Sequence, residues 1–412
     1  MVTPAIAKYI LQPAVLLALS LPPPARSVEL SGVLDLRAQA SDSELSWTRA
    51  GLGKLRYDGS GLRWGQAILG AELPIGDTIS AFTVVNASDD RHRLLDLQEA
   101  FLGWNPLPTG PWKIRAKAGL FFPSINQEID YDRQMWTPTR TVSASAINSW
   151  IGEEFRSKGL ELKLAHRGRS LGSPHDFGAT VAVFNGNDPA GTLLAWRGWG
   201  IGDRITGVSE SIQLADLPVY RLDGAINKQA RDINLFREID GRAGYYAAVN
   251  YAYAGMIEMA VMHYDNRGDP LIVKHGQYSW ATKFNHVGIR LRPAGHWELM
   301  AQWLAGSTRM GANAVALNYR AWYALASHPL GTGRLTLRYD QFKAREHDTL
   351  LSDPNGENGR SIALSYAFDI SPETRLVTEF LAVHSNRQAR ILVGEVPDQH
   401  ERSFTSSLRW QF

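Results

Sequence analysis

A chain of 412 residues is long for one soluble domain and fits one large β-barrel. Hydrophobic residues make up 44% and charged residues 20%, which excludes both a disordered chain and a helical membrane protein. Cys is absent, so neither a disulfide framework nor a Cys metal site can form, and a formal charge of +2 selects no partner, nucleic acid included.

In chain order, residues 1–27 read as a secretory signal peptide. Lys8 precedes an apolar run from Ile10 to Leu21, Pro22 to Pro24 break any helix, and Ala25-Arg26-Ser27 supplies small residues for cleavage. The run is too short to span a bilayer, and no later segment approaches the ~20 apolar residues a membrane helix needs. Alternating segments follow instead. Leu30, Leu34, Leu36 and Ala38 alternate with Ser31, Val33, Asp35 and Arg37, and further period-two segments fall near 61–73, 78–87 and 94–104. The segment WKIRAKAGLFF sets Trp112, Ile114, Ala116, Ala118 and Leu120 against Lys113, Arg115, Lys117 and Gly119. Strands are then expected near 156–166 and 175–186, and, after a region without sustained alternation at 187–241, at 242–254, 256–266, 278–291, 297–307, 315–327, 333–343, 360–370, 374–385 and 401–412. In the last, Phe404, Leu408, Trp410 and Phe412 share one parity, and Ser403, Thr405, Ser407, Arg409 and Gln411 the other.

Connections alternate between short and long, as in barrels with tight turns on one side of a membrane and large loops on the other. This holds if all of 187–241 is one external loop, and it gives an all-β, transmembrane antiparallel barrel of 16 strands over 28–412, both termini periplasmic. Two strands inside 187–241 would give 18. The 13 Trp residues suit aromatic girdles at the lipid interface.

A barrel of this size is wide enough for a wet lumen. Lys113, Arg115 and Lys117 should point into it, about 7 Å apart along the strand. Lys163 on the next strand shares their side, and Arg334 and Arg338 fall on the far wall, while Glu99 and Asp340 also face inward. The long stretch 123–155 carries Glu128, Asp130, Asp132, Glu153 and Glu154 with Arg133 and Arg140, and a stretch this long without strands suggests a functional loop.

KAGLFFP (117–123), WTPT (136–139), SAINSWIGEE (145–154) and the strand LDLQEAFLGW (95–104) resemble a family of proteobacterial porin-like outer-membrane proteins, distantly related to the phosphate-selective porins of the O and P type. The resemblance implies a sixteen-stranded barrel, a homotrimer, and passage of small hydrophilic solutes, anions such as phosphate among them. It also implies that 123–155 folds into the pore as a constriction. The dense arginine ladder of the phosphate-selective porins has no residue-by-residue counterpart; Lys113, Arg115 and Lys117 are the nearest match.

The expectation is a porin in the outer membrane of a Gram-negative cell, exported by a Sec-type signal peptide. Trp410 and Phe412 would form the terminal signal for the barrel assembly machinery. No cofactor, metal site or catalytic residue is expected: His384 and Ser385 are adjacent on a strand and so face opposite sides, and no HExxH, phosphate-loop or EF-hand spacing occurs. The alternatives are a plugged barrel serving docking, adhesion or polysaccharide export, and an outer-membrane hydrolase using loop residues such as Asp265, His275, His347 and Asp348.

Overall fold

The computed structural model describes residues 27–90, 94–108, 110–123, 127–129 and 136–412. Sixteen strands close into one barrel. They are β1 (Glu29–Asp42), β2 (Gly61–Pro74), β3 (Ile79–Ala87), β4 (Leu95–Trp104), β5 (Trp112–Phe121), β6 (Ser157–Arg167), β7 (His175–Asn185) and β8 (Gly244–Tyr253). The second half comprises β9 (Ile257–Asp265), β10 (Ala281–Leu291), β11 (Glu298–Met310), β12 (Val315–Leu330), β13 (Gly333–Glu346), β14 (Glu357–Asp369), β15 (Thr374–Arg387) and β16 (Asp398–Gln411). Each pairs antiparallel with its neighbour in sequence, and β1 pairs with β16. The count expected from loop alternation therefore holds at sixteen. The long connection between β7 and β8 adds no strand to the wall; its described ladder is the two-residue pair Ile212–Gln213 with Asp232–Ile233.

Exposure along the strands is inverted relative to a soluble sheet. On β16 the buried positions are Gln399, Glu401, Ser403, Thr405, Ser407 and Arg409, while Phe404 is 50% and Trp410 46% exposed. Leu160, Leu162 and Leu164 on β6, and Leu335 and Leu337 on β13, are likewise exposed. A period of two puts polar chains inside and apolar chains outside, the arrangement that suits lipid around a closed sheet. No described helix is long and apolar enough to cross a membrane.

The seam carries the last residue into the ladder. Phe412 N donates to Gly32 O at 3.2 Å, and Gly32 N donates to Phe412 O at 3.0 Å. Both ends of the barrel chain thus lie at the end with the short turns. At Gly119 on β5, φ is +138°, and a Cβ there would stand 2.4 Å from the Ala100 carbonyl and 2.7 Å from the Phe101 Cα. Only glycine lets β5 bend this closely over β4.

Two long connections fold inward. The first carries helix α1 (Ala146–Glu154), every residue of which is buried. Ser145 caps it, accepting from Asn148 N. The second, after β7, carries the short helix α2 (Thr192–Trp196), also wholly buried. Trp150 of α1 meets Trp199 at 5.5 Å and Tyr319 of β12 at 5.1 Å between ring centroids, and Trp196 meets Trp280 at 5.3 Å. Each such Trp removes about 150–250 Å² from water, or about 4–6 kcal/mol at ~25 cal/mol per Å². The buried ion pairs return little net stability once their desolvation is counted, so an aromatic core holds the loops in the barrel and the ion pairs fix their register.

Candidate functional site: the lumen and its inward loops

The first inward loop is clamped to the wall by charged residues projecting from β13, β15, β16 and β1. Arg338 of β13 donates to Glu128 at 2.7 Å and to Asp340 at 2.9 Å, and also to Ser143 O at 2.5 Å. Glu379 of β15 accepts from Val142 N at 2.9 Å and Ser143 N at 3.0 Å. Arg409 of β16 donates to Pro138 O at 2.9 Å and pairs with Asp35 of β1 at 3.2 Å. The alternation of each strand aims these side chains inward; the loop then supplies their partners.

The second loop is tied in the same manner nearer the long-loop end. Arg37 of β1 pairs with Asp203 and Asp35, and Arg56 bridges Asp203 at 2.9 Å and Asp90 at 2.7 Å. Burial alone would raise the Asp203 pKa, but the Arg37 and Arg56 guanidiniums hold it well below the usual carboxylate range. Lys54 pairs with Glu357 of β14 at 2.5 Å and donates to Arg197 O at 3.2 Å. Burial pulls its ammonium well below the ordinary lysine pKa, against the opposing pull of Glu357. Glu153 accepts from Trp47 Nε1 at 2.8 Å and pairs with Arg197 at 2.5 Å. Glu154 accepts from Trp150 Nε1 and from Leu193 N at 2.9 Å, and burial pushes its carboxyl up to about 7.

The opposite wall differs toward the short turns. Lys113, Lys117 and Lys163 are half-buried and Arg115 is exposed, whereas Glu161 opposite Lys117, Thr180 opposite Lys163, and Phe121 at the long-loop end of β5 are buried. Arg115 stands opposite Lys163 in the β5–β6 ladder. Lys117 Nζ lies 4.9 Å from the Phe101 ring centroid, and Arg115 Nε donates to Asn105 at 3.3 Å. Across the lumen, Glu298 of β11 gathers Arg140 at 2.5 Å, Arg290 at 3.5 Å, and Arg292 and Arg334 at 3.9 Å. Cationic groups therefore outnumber carboxylates on both walls of this half of the lumen.

No protein-family model matches the chain, and no curated protein is similar in sequence. Solved structures do match in shape. The outer membrane channel DcaP of Acinetobacter baumannii superposes with a TM-score of 0.53 at 10% identity, over 94% of this chain and 97% of that one. The anion-selective porin of Comamonas acidovorans gives 0.51 at 12% identity, over 94% and 99%. The trimer form of OmpT, an outer membrane protein of Vibrio cholerae, gives 0.50 at 10%, over 94% and 100%. The fold is that of an outer-membrane porin.

Within this porin fold the expected site residues separate into two groups. Lys113, Arg115, Lys117, Lys163 and Arg334 border the accessible half of the lumen, with Arg334 half-buried. Arg338, Glu128, Glu153 and Glu154 are wholly buried, engaged in holding the inward loops. Arg140 joins the Glu298 cluster; Asp130, Asp132 and Arg133 lie outside the described residues. Sequence reasoning missed Arg290 and Arg292. Their signal was parity with the inward Thr282 and His286 on β10, masked by the intervening Gly288 and a strand end. Among the residues weighed for catalysis, His384 faces outward and bonds Asp398 at 3.1 Å, while Ser385 faces inward and accepts from Arg390 at 2.8 Å.

Proposed function

We propose that this protein is an outer-membrane channel for small hydrophilic solutes, anions above all. The observation that carries it is the inverted barrel: apolar chains outside, polar and charged chains inside, and a loop folded into the lumen from between β5 and β6. In this reading the short-turn end, which bears both termini, faces the periplasm, and residues 1–27 are the exported chain's signal peptide. The barrel assembly machinery would read Trp410 and Phe412, and the trimeric state given for the Vibrio cholerae protein supports a trimer here.

Solutes would be drawn by Lys113, Arg115, Lys117 and Lys163 on one wall and by Arg140, Arg290, Arg292 and Arg334 on the other. Passive passage needs no chemistry from the protein; selection is by width and charge. The positive surplus favours small anions, phosphate among them. Liposomes containing the purified barrel should swell faster in a small anionic solute than in a neutral solute of equal size. Equal rates would remove the anion preference.

The burial of Trp150, Trp196 and Trp199 favours a second reading, a plugged barrel whose loops dock a partner or gate an exporter. The two differ in conductance: the channel reading requires the inward loops to leave or open a path, and the plugged reading requires none.

A further inference from the structure

The outer wall carries a feature that a diffusion pore does not use. Near the long-loop end of β11–β15, a groove of about 820 Å³ opens on the outside of the barrel, bordered by Trp303, Arg320, Trp322, Lys343, Arg360 and His384. All alternate outward with the apolar belt. Along β13 the outward series runs Leu335, Leu337, Tyr339, Gln341, Lys343 and Arg345, changing from apolar to cationic across Gln341. Along β14 it runs Leu364, Ile362, Arg360 and Asn358.

The change falls at an aromatic girdle. Trp322 lies tilted against Tyr339, 5.4 Å between centroids, and its Nε1 donates to Gln341 at 3.0 Å. Trp and Tyr favour the level where acyl chains give way to headgroups. Cations on the lipid side are tolerated at that level and disfavoured at the midplane.

Within this band like charges face each other. Arg320 is directly opposite Lys343, and Arg360 stands opposite Gln341 and His384. Directly opposed like charges destabilise a sheet. No ion pair among the described residues involves Arg320, Lys343, Arg345 or Arg360. Asp398, next to the groove residue His384, is bridged by His384 at 3.1 Å and His400 at 3.4 Å. The cationic band is confined to one side of the barrel: Lys283 on β10, Arg309 on β11 and Arg402 on β16 extend it, whereas on β7 and β8 the outward positions toward the same end are Val181, Val183, Tyr245 and Ala247, with Val183 58% exposed.

We propose that this groove binds the phosphate headgroup of an anionic lipid in the leaflet around the long-loop end. Arg320, Lys343 and Arg360 would meet the phosphate oxygens, relieving their mutual repulsion, while Trp303 and Trp322 would pack along the sugar or upper acyl segment. The inference rests on the proposed membrane orientation and not on conductance.

The test is native mass spectrometry of the detergent-purified barrel with a bisphosphorylated lipid A and with the same lipid stripped of phosphate. The intact chain should hold the phosphorylated lipid at least tenfold more tightly than the Arg320→Gln/Lys343→Gln/Arg360→Gln variant, and should lose that margin for the stripped lipid. Excess inorganic phosphate should not displace it. The charge-keeping Arg320→Lys/Arg360→Lys variant should still bind, and if the triple variant fails to fold, Lys343→Gln alone should show a weaker form of the same loss. Equal binding by variant and intact chain overturns the proposal. So does displacement by inorganic phosphate, which would make this a soluble-anion site, or loss of oligomer without loss of lipid, which would make it a contact between copies. An active channel that ignores the phosphorylated lipid sinks this inference and leaves the channel reading standing; a barrel that binds the lipid but passes no ions does the reverse.

Discussion

Glu154 is one residue at which pH reaches the inward loops. Its carboxyl is raised to about 7 by burial, from an ordinary value of 4.5, with Leu193 N and the Trp150 and Arg197 side chains pulling the other way. The folded state therefore holds the extra proton between those values. The stability it gives the docked loop is full below about pH 4.5 and is lost as pH rises through about 7. Single-channel records should show longer open times at about pH 8.5 than at about pH 5, and Glu154→Gln should flatten that dependence. An unchanged profile in the variant would place the titrating group elsewhere. Lys54 makes a complementary case. Lys54→Met leaves Glu357 buried, with Trp199 N donating at 2.9 Å and the more distant Arg387 at 3.6 Å as its cation. Losing one partner of a buried pair costs about 3–5 kcal/mol, and the remaining arginine puts this variant near the low end, read as a fall in the urea midpoint. Parity made the inward course of Lys113, Arg115 and Lys117 readable from sequence. The roles of Glu153, Glu154 and Arg338 were not readable, because their partners lie on loops whose path no periodicity describes.

At the scale of elements, the strands were legible because a two-residue period is imposed at every position by lipid on one side and polar lumen on the other. Their ends were less so: β12 runs to Leu330 and β15 to Arg387, past where the pattern weakens, because the ladders continue to the pairs Leu330–Gly333 and Glu357–Arg387. The region 187–241 showed no alternation, and the structure gives the reason: residues 187–207 fold against the inside of the barrel and are buried throughout, so α2 has no polar face to mark it, and the rest is short turns that reach the surface at residues such as Leu222. Two predictions belong here. Gly119→Val forces a side chain into the β4 backbone at positive φ and should reduce the yield of the heat-modifiable folded barrel; a normal yield would show that β5 can shift. Replacing Lys113, Arg115 and Lys117 by Gln should move the reversal potential in a salt gradient toward zero, and no movement would assign selectivity to the Glu298 cluster of arginines instead.

At the scale of the whole molecule, the barrel closes through its last residue, and the apolar belt and inward polar chains follow from that closure. The loop alternation and the two-residue period of the strands expressed this architecture before any contact was known, since both are consequences of closing an antiparallel sheet with an apolar outside and a polar inside. The state of the lumen was not expressed, because it depends on how Trp150, Trp196 and Trp199 meet residues far away in sequence. Deleting Phe412 removes both of its backbone bonds to Gly32 and should slow insertion, measured as the rate at which the heat-modifiable form appears.

The most direct measurement is the current through single purified barrels in a planar bilayer under a salt gradient. A channel of this kind should give discrete steps with a reversal potential on the anion side. A correctly folded barrel that carries no current at any voltage would contradict the channel reading.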